Sequence, residues 1–295
     1  MQENPSLKYL FIVNPGSGNK DADSWSKEIG EFFKEEKDDF DIYQLPEKFD
    51  LKEIKNKIAS VEPENVIAVG GDGTVTMLAN ILAGKNIPLG ILPGGSANGM
   101  AKELGIPETP AEALAIIKED FIKNLDLIKI NDDLCLHMSD LGLNARLIKY
   151  FDEGKLRGKI GYAKVIVRAL WHNEKMYVTI RTGDAEVKRV AYMVVFANAR
   201  MYGTGAVINP EGKPDDGLFE VIVVRKLSVI ALLKMLFRPG MFNPKHIEIF
   251  SCSSAGITTT QNIHFQVDGE YIGRVNKVRA VIQPGIIKMI LPKNK

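Results

Sequence analysis

Hydrophobic residues in the first part of the chain alternate between strand-like runs and helical stripes. Leu7–Val13 is a continuous apolar run, which predicts a buried strand. Apolar residues then recur at helical spacing at Trp25, Ile29, Phe32 and Phe33. Further strands are predicted over Phe40–Leu45, Val66–Val69 and Ile87–Leu92, and further helices over Leu51–Val61 and Val75–Leu82. Strands that alternate with helices predict a parallel sheet covered on both faces, a Rossmann-like three-layer α/β domain.

After about Asp126 the hydrophobic pattern changes to short β-rich runs separated by turn signals. The predicted strands are Met176–Arg181, Val190–Ala197, Leu218–Val224, Ile263–Val267 and Val278–Gln283, and two helical stretches, Tyr162–Trp171 and Ser228–Phe237, interrupt them. This pattern predicts an antiparallel β-sandwich or barrel. We therefore expect an α/β domain over residues 1–126 and a β-rich domain over 127–284. The tail at about 285–295 could pack back on the first domain.

Composition and charge limit the class of protein. The chain has 295 residues, 45% hydrophobic and 25% charged, with a net charge of +1. This balance is typical of a soluble globular protein and excludes a globally basic nucleic-acid binder. Cys135 and Cys252 are too few for a disulfide framework, so we expect both to be buried thiols in a reducing compartment.

No segment of the sequence has the pattern of a membrane or export signal. The N-terminus lacks a basic stretch followed by an apolar run, and no apolar run approaches the ~20 residues needed to cross a bilayer. We therefore predict a cytoplasmic protein, which would have to reach any lipid substrate from the water side.

Three glycine-rich turns follow predicted strands: Asn14–Lys20, Gly70–Thr74 and Gly94–Asn98. In parallel sheets, ligands bind at the carboxyl ends of the strands, so the three turns predict one shared site. Glycine allows a phosphate to approach the backbone, and a helix N-terminus supplies free N–H groups. None of the turns has the Walker or the dinucleotide-binding pattern, which indicates a different nucleotide-binding family.

An acidic residue lies inside the second of these turns. Asp72 would repel a phosphate unless a Mg²⁺ ion or a substrate hydroxyl lay between them, which favours metal-assisted or base-assisted phosphoryl transfer. The alternative interpretation is a tight turn with a capping Asp. In the first turn, Lys20 could neutralise phosphate charge.

The motifs together resemble those of the diacylglycerol kinase-like lipid kinases, which include bacterial diacylglycerol and phosphatidylglycerol kinases, sphingosine kinases and ceramide kinases. The resemblance covers nearly the whole chain. GGDGT alone is shared with NAD kinases and, loosely, with phosphofructokinases, but its ordered combination with a late DGE is specific. The matching motifs are VNPGSG (13–18), VGGDGT (69–74), LPGGSANGMA (92–101), LDLIKI (125–130), ANARMYGTG (197–205), KPDDGLFEV (213–221) and VDGE (267–270).

The resemblance implies an ATP-binding first domain, a β-rich second domain and a cleft between them for ATP and the lipid headgroup. Asn14, Gly16, Gly71, Gly73, Thr74 and Ser96 match nucleotide-contacting positions. The whole predicted ATP site is Asn14, Pro15, Gly16, Ser17, Gly18, Lys20, Gly70, Gly71, Gly73, Thr74, Ser96 and Asn98.

Acidic residues of the second domain match the family's acceptor and metal positions. Glu270 matches the proposed general base for the lipid hydroxyl, and Asp268 could order Glu270 or the metal, although Val267–Glu270 is also a hairpin signal. Asp126 matches an acid close to that hydroxyl; the alternative is a polar residue at a strand start. Asp216 matches a side-chain ligand of a structural Mg²⁺, with main-chain oxygens from Lys213 and Leu218.

One position departs from the family pattern. Bacterial relatives usually have Asp directly after the Asn of the third turn, whereas Gly99 follows Asn98 here. Sphingosine kinases also lack that acid, so Gly99 slightly favours an acceptor other than diacylglycerol. Two other functions remain open: a kinase for a soluble substrate, of the NAD kinase type, and a non-catalytic regulator that binds nucleotide or lipid.

The expected activity is therefore ATP- and Mg²⁺-dependent phosphorylation of a hydroxyl on a diacylglycerol-like lipid, in phospholipid metabolism, with a long-chain base as the alternative acceptor. A basic run, Lys155, Arg157 and Lys159, and an apolar segment, Val229–Phe237, could dock the protein transiently on an anionic membrane. They could equally be a solvated loop and a packed helix. An exposed strand edge in the β-rich domain could form a homodimer.

Overall fold

The computed structural model describes residues 7–17, 22–34, 38–153, 175–183, 185–201, 207–226 and 244–293. The chain divides into two compact units, residues 1–125 together with 285–295, and residues 126–284. The helices predicted at Tyr162–Trp171 and Ser228–Phe237 lie outside the described residues.

The first unit is built on a parallel sheet with the strand order β14–β4–β3–β1–β2, in which β14 contributes its last residues. Almost every position of β1, β3 and β4 is buried, so both faces of the sheet are covered. The elements of this unit are β1 (Lys8–Val13), α1 (Ala22–Phe33), β2 (Asp39–Gln44), α2 (Leu51–Val61), β3 (Asn65–Gly70), α3 (Asp72–Leu82), β4 (Leu89–Pro93), α4 (Gly99–Leu104) and α5 (Pro110–Glu119).

The apolar stripes recognised in the sequence are the buried faces of the first helices. Trp25, Ile29 and Phe33 of α1 are almost fully buried, because a spacing of four residues keeps them on one face. In α2, Ile54 and Ile58 are buried in the same way, and the Asp50 carboxylate accepts a hydrogen bond from the Lys52 N–H at the start of the helix.

The second unit is mainly antiparallel. Its strands follow the order β12–β11–β10–β7–β13–β14; β8 pairs with β13 and β9, and β6 with β5. Its elements are β5 (Ile122–Ile130), β6 (Asp133–Cys135), β7 (Met138–Gly142), α6 (Leu143–Glu153), β8 (Met176–Thr182), β9 (Ala185–Ala191), β10 (Met193–Ala197), β11 (Phe219–Val224), a 3₁₀ turn (Pro244–His246), β12 (Ile247–Cys252), β13 (Ser254–Val267) and β14 (Glu270–Ile290). The first residues of β5 and the last of β14 belong to the first unit.

The second unit differs from the sequence prediction in several respects, among them the helix α6 (Leu143–Glu153), which was not predicted. The run Val190–Ala197 forms parts of two strands, because β9 pairs with β8 whereas β10 pairs with β7 and β11. Strands β13 and β14 are longer than predicted. The apolar pattern did not reveal their full length, because many positions outside their buried segments are polar and exposed. Cys135 is buried as expected, but Cys252 is partly exposed.

The predicted fold class is confirmed: an α/β domain with a parallel sheet and an antiparallel β-sandwich domain. A large hydrophobic cluster, which includes Phe196, Phe219 and Phe265, forms the core of the sandwich. In the described part of the chain, no helix is both long enough and apolar enough to span a bilayer.

Candidate active site

The three glycine-rich turns meet at the carboxyl ends of β1, β3 and β4. The Asn14 side-chain amide donates a hydrogen bond to the Thr74 hydroxyl at 3.0 Å, which joins the first turn to the second. The Gly94 N–H donates to the Gly70 carbonyl at 2.8 Å, which joins the second turn to the third. These contacts bring together residues that are far apart in the sequence.

The glycines of these turns differ in what surrounds them. A Cβ atom on Gly95 would lie 2.5 Å from the Gly71 Cα atom, and one on Gly71 would lie 3.2 Å from the Gly95 Cα atom. These two glycines therefore let the second and third turns pack backbone against backbone. A Cβ atom on Gly73 would meet no atom of the described residues within 4 Å, so these residues leave the space beside Gly73 open.

The N-terminus of α3 has the geometry of an anion site. Its N-cap residue, Gly71, makes no side-chain cap, and its carbonyl accepts from the N–H groups of Thr74 and Val75. The N–H groups of Asp72 and Gly73 have no acceptor among the described residues. Free N–H groups and the helix dipole together attract a negatively charged group such as phosphate.

The Asp72 side chain connects the second turn to α4. Its Oδ2 atom accepts from the Gly99 N–H at 3.0 Å and its Oδ1 atom from the Met100 N–H at 2.8 Å. Asp72 therefore caps the N-terminus of α4 rather than that of its own helix, α3. A carboxylate has about four lone-pair positions, so these two bonds leave acceptor capacity for a cation.

Other predicted residues of the turns have mainly local contacts. The Asn14 side-chain Oδ1 atom accepts from the Gly16 N–H at 3.1 Å. Asn98 has a positive φ of 50° and exchanges two hydrogen bonds with the Gly95 backbone, at 2.8 and 2.9 Å, so its amide closes the third turn. Pro15 and Ser96 are exposed, whereas Ser17 is half-buried. Gly18 and Lys20 lie outside the described residues.

In the second unit, Glu270 directly follows a tight hairpin turn between β13 and β14. Asp268 and Gly269 have φ values of 47° and 89°, and Val267 pairs with Glu270. Two positive φ values at the central positions favour Asp-Gly. Glu270 is exposed, and its carboxylate forms no hydrogen bond or ion pair with another described residue. The Glu270 carboxylate is therefore accessible to a substrate.

The neighbouring Asp268 has a different environment. Its carboxylate accepts from the N–H groups of Leu136, His137 and Met138 at 2.7 to 3.0 Å, and the Cys135 thiol lies 3.3 Å from its Oδ1 atom. Burial, and then the negative charge of Asp268, raise the pKa of the Cys135 thiol. Asp268 therefore fastens the hairpin turn to the loop before β7.

A buried polar network, which sequence reasoning missed, also holds this turn. The Gln266 side chain donates to the Asp140 carboxylate at 2.5 Å and accepts from the Gly269 N–H at 2.7 Å. Asp140, fully buried, also accepts from the Asn144 side chain at 2.7 Å and from the Ala145 N–H at 2.9 Å, near the start of α6. Gln266 and Asp140 thus link α6 to the turn that precedes Glu270.

Asp126 is buried and organises the loop that contains the candidate metal ligands. Its backbone N–H donates to the Pro214 carbonyl, and its Oδ2 atom accepts from the Gly217 N–H, both at 2.7 Å. In the same loop, the exposed Asp216 accepts from the Leu218 N–H at 3.1 Å. The structure thus brings Asp126 next to the segment that includes Lys213, Asp216 and Leu218.

This loop is locally acidic, which suits a cation. Burial raises the pKa of Glu220, and the negative charges of Asp216 and Glu211 raise it further. Among the described residues, no three His, Cys, Asp or Glu side chains cluster to form a metal site. A Mg²⁺ ion here would therefore have at most two such side chains among the described residues and would depend on main-chain oxygens and water as well, a ligand set that Mg²⁺ accepts.

Comparison with known families identifies both units. Residues 138–291 match a family model described as "YegS C-terminal NAD kinase beta sandwich-like domain", and residues 8–130 match "Diacylglycerol kinase catalytic domain". The chain belongs to the diacylglycerol kinase-like lipid kinase family. The resemblance seen in the motifs is thereby confirmed, and so is the prediction of a kinase.

Individual relatives of this lipid kinase agree. It is 29% identical to "Probable lipid kinase YegS-like" of Chromohalobacter salexigens, over 77% of this chain and 76% of that protein. It is 28% identical to "Diacylglycerol kinase" of Mycobacterium tuberculosis, over 69% and 67%. A crystal structure of a diacylglycerol kinase from Bacillus anthracis matches with a TM-score of 0.76 and 23% identity, covering 99% of both chains, and shows the shared fold.

Proposed function

We propose that this enzyme transfers the γ-phosphoryl group of ATP to a hydroxyl of a diacylglycerol-like lipid, with Mg²⁺. In this proposal, the first unit binds ATP and the second holds the acceptor. The observation that carries the proposal is the meeting of three glycine-rich turns around the uncapped N-terminus of α3, with Asp72 beside it.

The nucleotide part of the proposal depends on the open space at Gly73. The free N–H groups of Asp72 and Gly73 would donate to phosphate oxygens, and no side chain of the described residues occupies the space beside Gly73. Asn14 would contribute from the first turn, since its side chain is held against Thr74. Ser96 is exposed and could donate its hydroxyl to the nucleotide.

In this proposal, Mg²⁺ has two candidate sites in the chain. Asp72 retains acceptor capacity beside the phosphate site, and the acidic 213–218 loop offers Asp216 with the main-chain oxygens of Lys213 and Leu218. A bound Mg²⁺ neutralises charge that develops on the transferring phosphoryl group. Asp72 itself would orient this part of the site, because its two bonds to α4 fix its position.

Glu270 is the proposed general base. As the acceptor oxygen bonds to the γ-phosphorus, the bond between the γ-phosphorus and the β–γ bridging oxygen breaks and ADP leaves. The proton of the acceptor hydroxyl passes to the Glu270 carboxylate, which has no other partner among the described residues. Asp268 and Gln266 would position Glu270 by fixing the turn before it.

The nature of the acceptor is the least constrained part of the proposal. At the position where bacterial relatives usually have Asp, Gly99 offers only its backbone N–H, which donates to Asp72. This leaves a long-chain base as the second candidate acceptor. The segments expected to dock on a membrane, at 155–159 and 229–237, lie outside the described residues, and membrane association remains a proposal.

The proposed function is tested by supplying γ-labelled ATP and Mg²⁺ with different acceptors. The panel contains diacylglycerol, phosphatidylglycerol and a sphingoid base in mixed micelles, with NAD⁺ as a soluble acceptor. We expect label in diacylglycerol, or in the sphingoid base if Gly99 determines the choice. Label in NAD⁺ alone would contradict a lipid acceptor, and ATP binding without transfer to any lipid would indicate a non-catalytic regulator.

A further inference from the structure

A polar cavity of about 120 Å³ lies in the second unit between α6, β8, β13 and β14. On the β13 side, the wall includes the irregular stretch between Thr258 and Ile263, where the pairing of β13 with β14 shifts register. The polar residues that line the cavity include Arg146, Lys175, Thr259, Asn262, His264 and Arg274. None of them belongs to the candidate active site.

The cavity has an excess of positive charge. Arg146, Lys175 and Arg274 line it, and no aspartate or glutamate among the described residues does. Elsewhere in this unit, arginines have carboxylate partners at 2.6 Å, as in the pairs Arg181–Glu186 and Arg189–Glu248. By contrast, neither Lys175 nor Arg274 has a carboxylate of the described residues within ion-pair distance.

His264 adds no positive charge to the cavity at pH 7. The Arg274 Nη2 and Nε atoms lie 3.1 and 3.4 Å from the His264 Nε2 atom, and the His264 Nδ1 atom lies 2.7 Å from the Tyr271 hydroxyl. Burial, and then the charges of Arg274, Arg146 and Lys149, lower the pKa of His264 to about 4. The ring is therefore neutral at pH 7 and serves Arg274 as an acceptor.

Arg274 retains donors for a ligand. A guanidinium group has five N–H donors, and the contacts to His264 use only part of them. Arg274 and Lys175 are both exposed, so a dissolved anion can reach them. Thr259 and Asn262 add neutral polar groups to the wall.

We propose that this cavity binds a phosphate group. Several cations around one small space match the charge and the oxygen atoms of phosphate, and arginine is well suited to phosphate geometry. The volume is below the roughly 300–1,000 Å³ of sites for drug-sized ligands, which favours a single oxyanion group over a whole nucleotide. This inference does not depend on the proposed kinase reaction.

The phosphate group could come from two sources, free phosphate or the headgroup of an anionic phospholipid. The test uses the full-length protein and measures acetylation of individual lysines by an N-hydroxysuccinimide ester, followed by mass spectrometry. Lys175 is the reporter, and Lys277, exposed on β14 and outside the cavity, is the internal control. The additions are sodium phosphate, sodium chloride at equal ionic strength, vesicles of phosphatidylcholine, and vesicles of equimolar phosphatidylcholine and phosphatidylglycerol.

We expect phosphate to slow acetylation of Lys175 by about tenfold when its concentration is about tenfold above its dissociation constant, with no change at Lys277. Stronger protection by vesicles with phosphatidylglycerol than by phosphate would identify a lipid headgroup, and protection by phosphate alone would identify a free phosphate. Arg274→Gln should abolish the protection, whereas Arg279→Gln, on the same strand but outside the cavity, should retain it.

Three results would overturn the proposal. The first is Lys175 acetylation that neither phosphate nor the anionic vesicles change. The second is equal protection by pure phosphatidylcholine vesicles, which would show only that a membrane covers this surface. The third is full protection in Arg274→Gln.

Discussion

The Asp72 carboxylate accepts a hydrogen bond at 2.8 Å from the backbone N–H of Met100, 28 residues further along the chain. With the similar bond from Gly99, it fixes α4 against the turn proposed to bind phosphate. A single carboxylate thus has a structural and a proposed chemical role in the ATP site.

Asp72→Asn should separate these two roles. The amide retains one acceptor oxygen, so we expect the free energy of unfolding to fall by only about 1 kcal/mol. Loss of the negative charge should lower kcat by about a hundredfold or more. Glu53→Gln, an exposed acid on α2, is the matched control. Chemical denaturation and ATP turnover measure the two effects, and an unchanged kcat would refute the chemical role.

Gly73→Ala and Gly95→Ala should have different effects on the stability of the protein. The new methyl group at Gly73 meets open space, so stability should be unchanged or rise by about 0.5–1 kcal/mol, while the KM for ATP should increase because the methyl group enters the phosphate space. At Gly95 the methyl group would lie 2.5 Å from the Gly71 Cα atom, so this variant should be destabilised. A Gly73→Ala enzyme with an unchanged KM for ATP would contradict the proposed phosphate site.

Gln266→Met should reduce turnover, although Gln266 is proposed to act only by positioning Glu270. The change removes one of the hydrogen bonds that the buried Asp140 carboxylate accepts, and it removes the side-chain acceptor of the Gly269 N–H. We therefore expect a loss of about 1–3 kcal/mol in the free energy of unfolding. Displacement of Glu270 should lower kcat by roughly tenfold to a hundredfold, with the KM for ATP unchanged. Gln283→Met is the control, because the Gln283 amide bonds only the neighbouring Ile282 carbonyl among the described residues. A normal kcat in folded Gln266→Met would exclude the positioning role.

His264 should make stability depend on pH. Its pKa is lowered to about 4 in the folded chain, from an ordinary value of 6.5. The unfolded chain therefore binds more protons between these values, and the stabilisation, present above pH 6.5, is lost as the pH falls towards 4. His264→Gln should show a shallower decline over this interval, by at most about 1.4 kcal/mol per pH unit. Identical slopes in urea denaturation would contradict the lowered pKa.

The first unit was largely predictable from the sequence, because its elements have local signals. Apolar runs marked β1 and β3, and the stripe at Trp25, Ile29 and Phe33 marked α1. The meeting of the three turns followed from their places after parallel strands. The contact between Gly71 and Gly95 could not be predicted. In the sequence, a glycine that packs against another backbone cannot be distinguished from one that leaves space for a phosphate.

In the second unit, the partners of single side chains were the least predictable feature. Asp268 bonds residues about 130 positions earlier, and Gln266 reaches Asp140 across 126 positions. No periodicity encodes such pairings. The strand change at Tyr192 was also missed, since the apolar run continues while the pairing partner changes from β8 to β7.

The central claim is that Glu270 takes the proton from a lipid hydroxyl while ATP is consumed. The most direct test is the rate of transfer of labelled γ-phosphoryl from ATP to lipid by wild type and Glu270→Gln at saturating ATP, with Asp268→Asn for comparison. Because Glu270 has no partner among the described residues, we predict a rate about 10²- to 10⁴-fold lower at unchanged unfolding free energy, whereas Asp268→Asn should unfold more easily. Label transfer by folded Glu270→Gln at the wild-type rate would contradict the account.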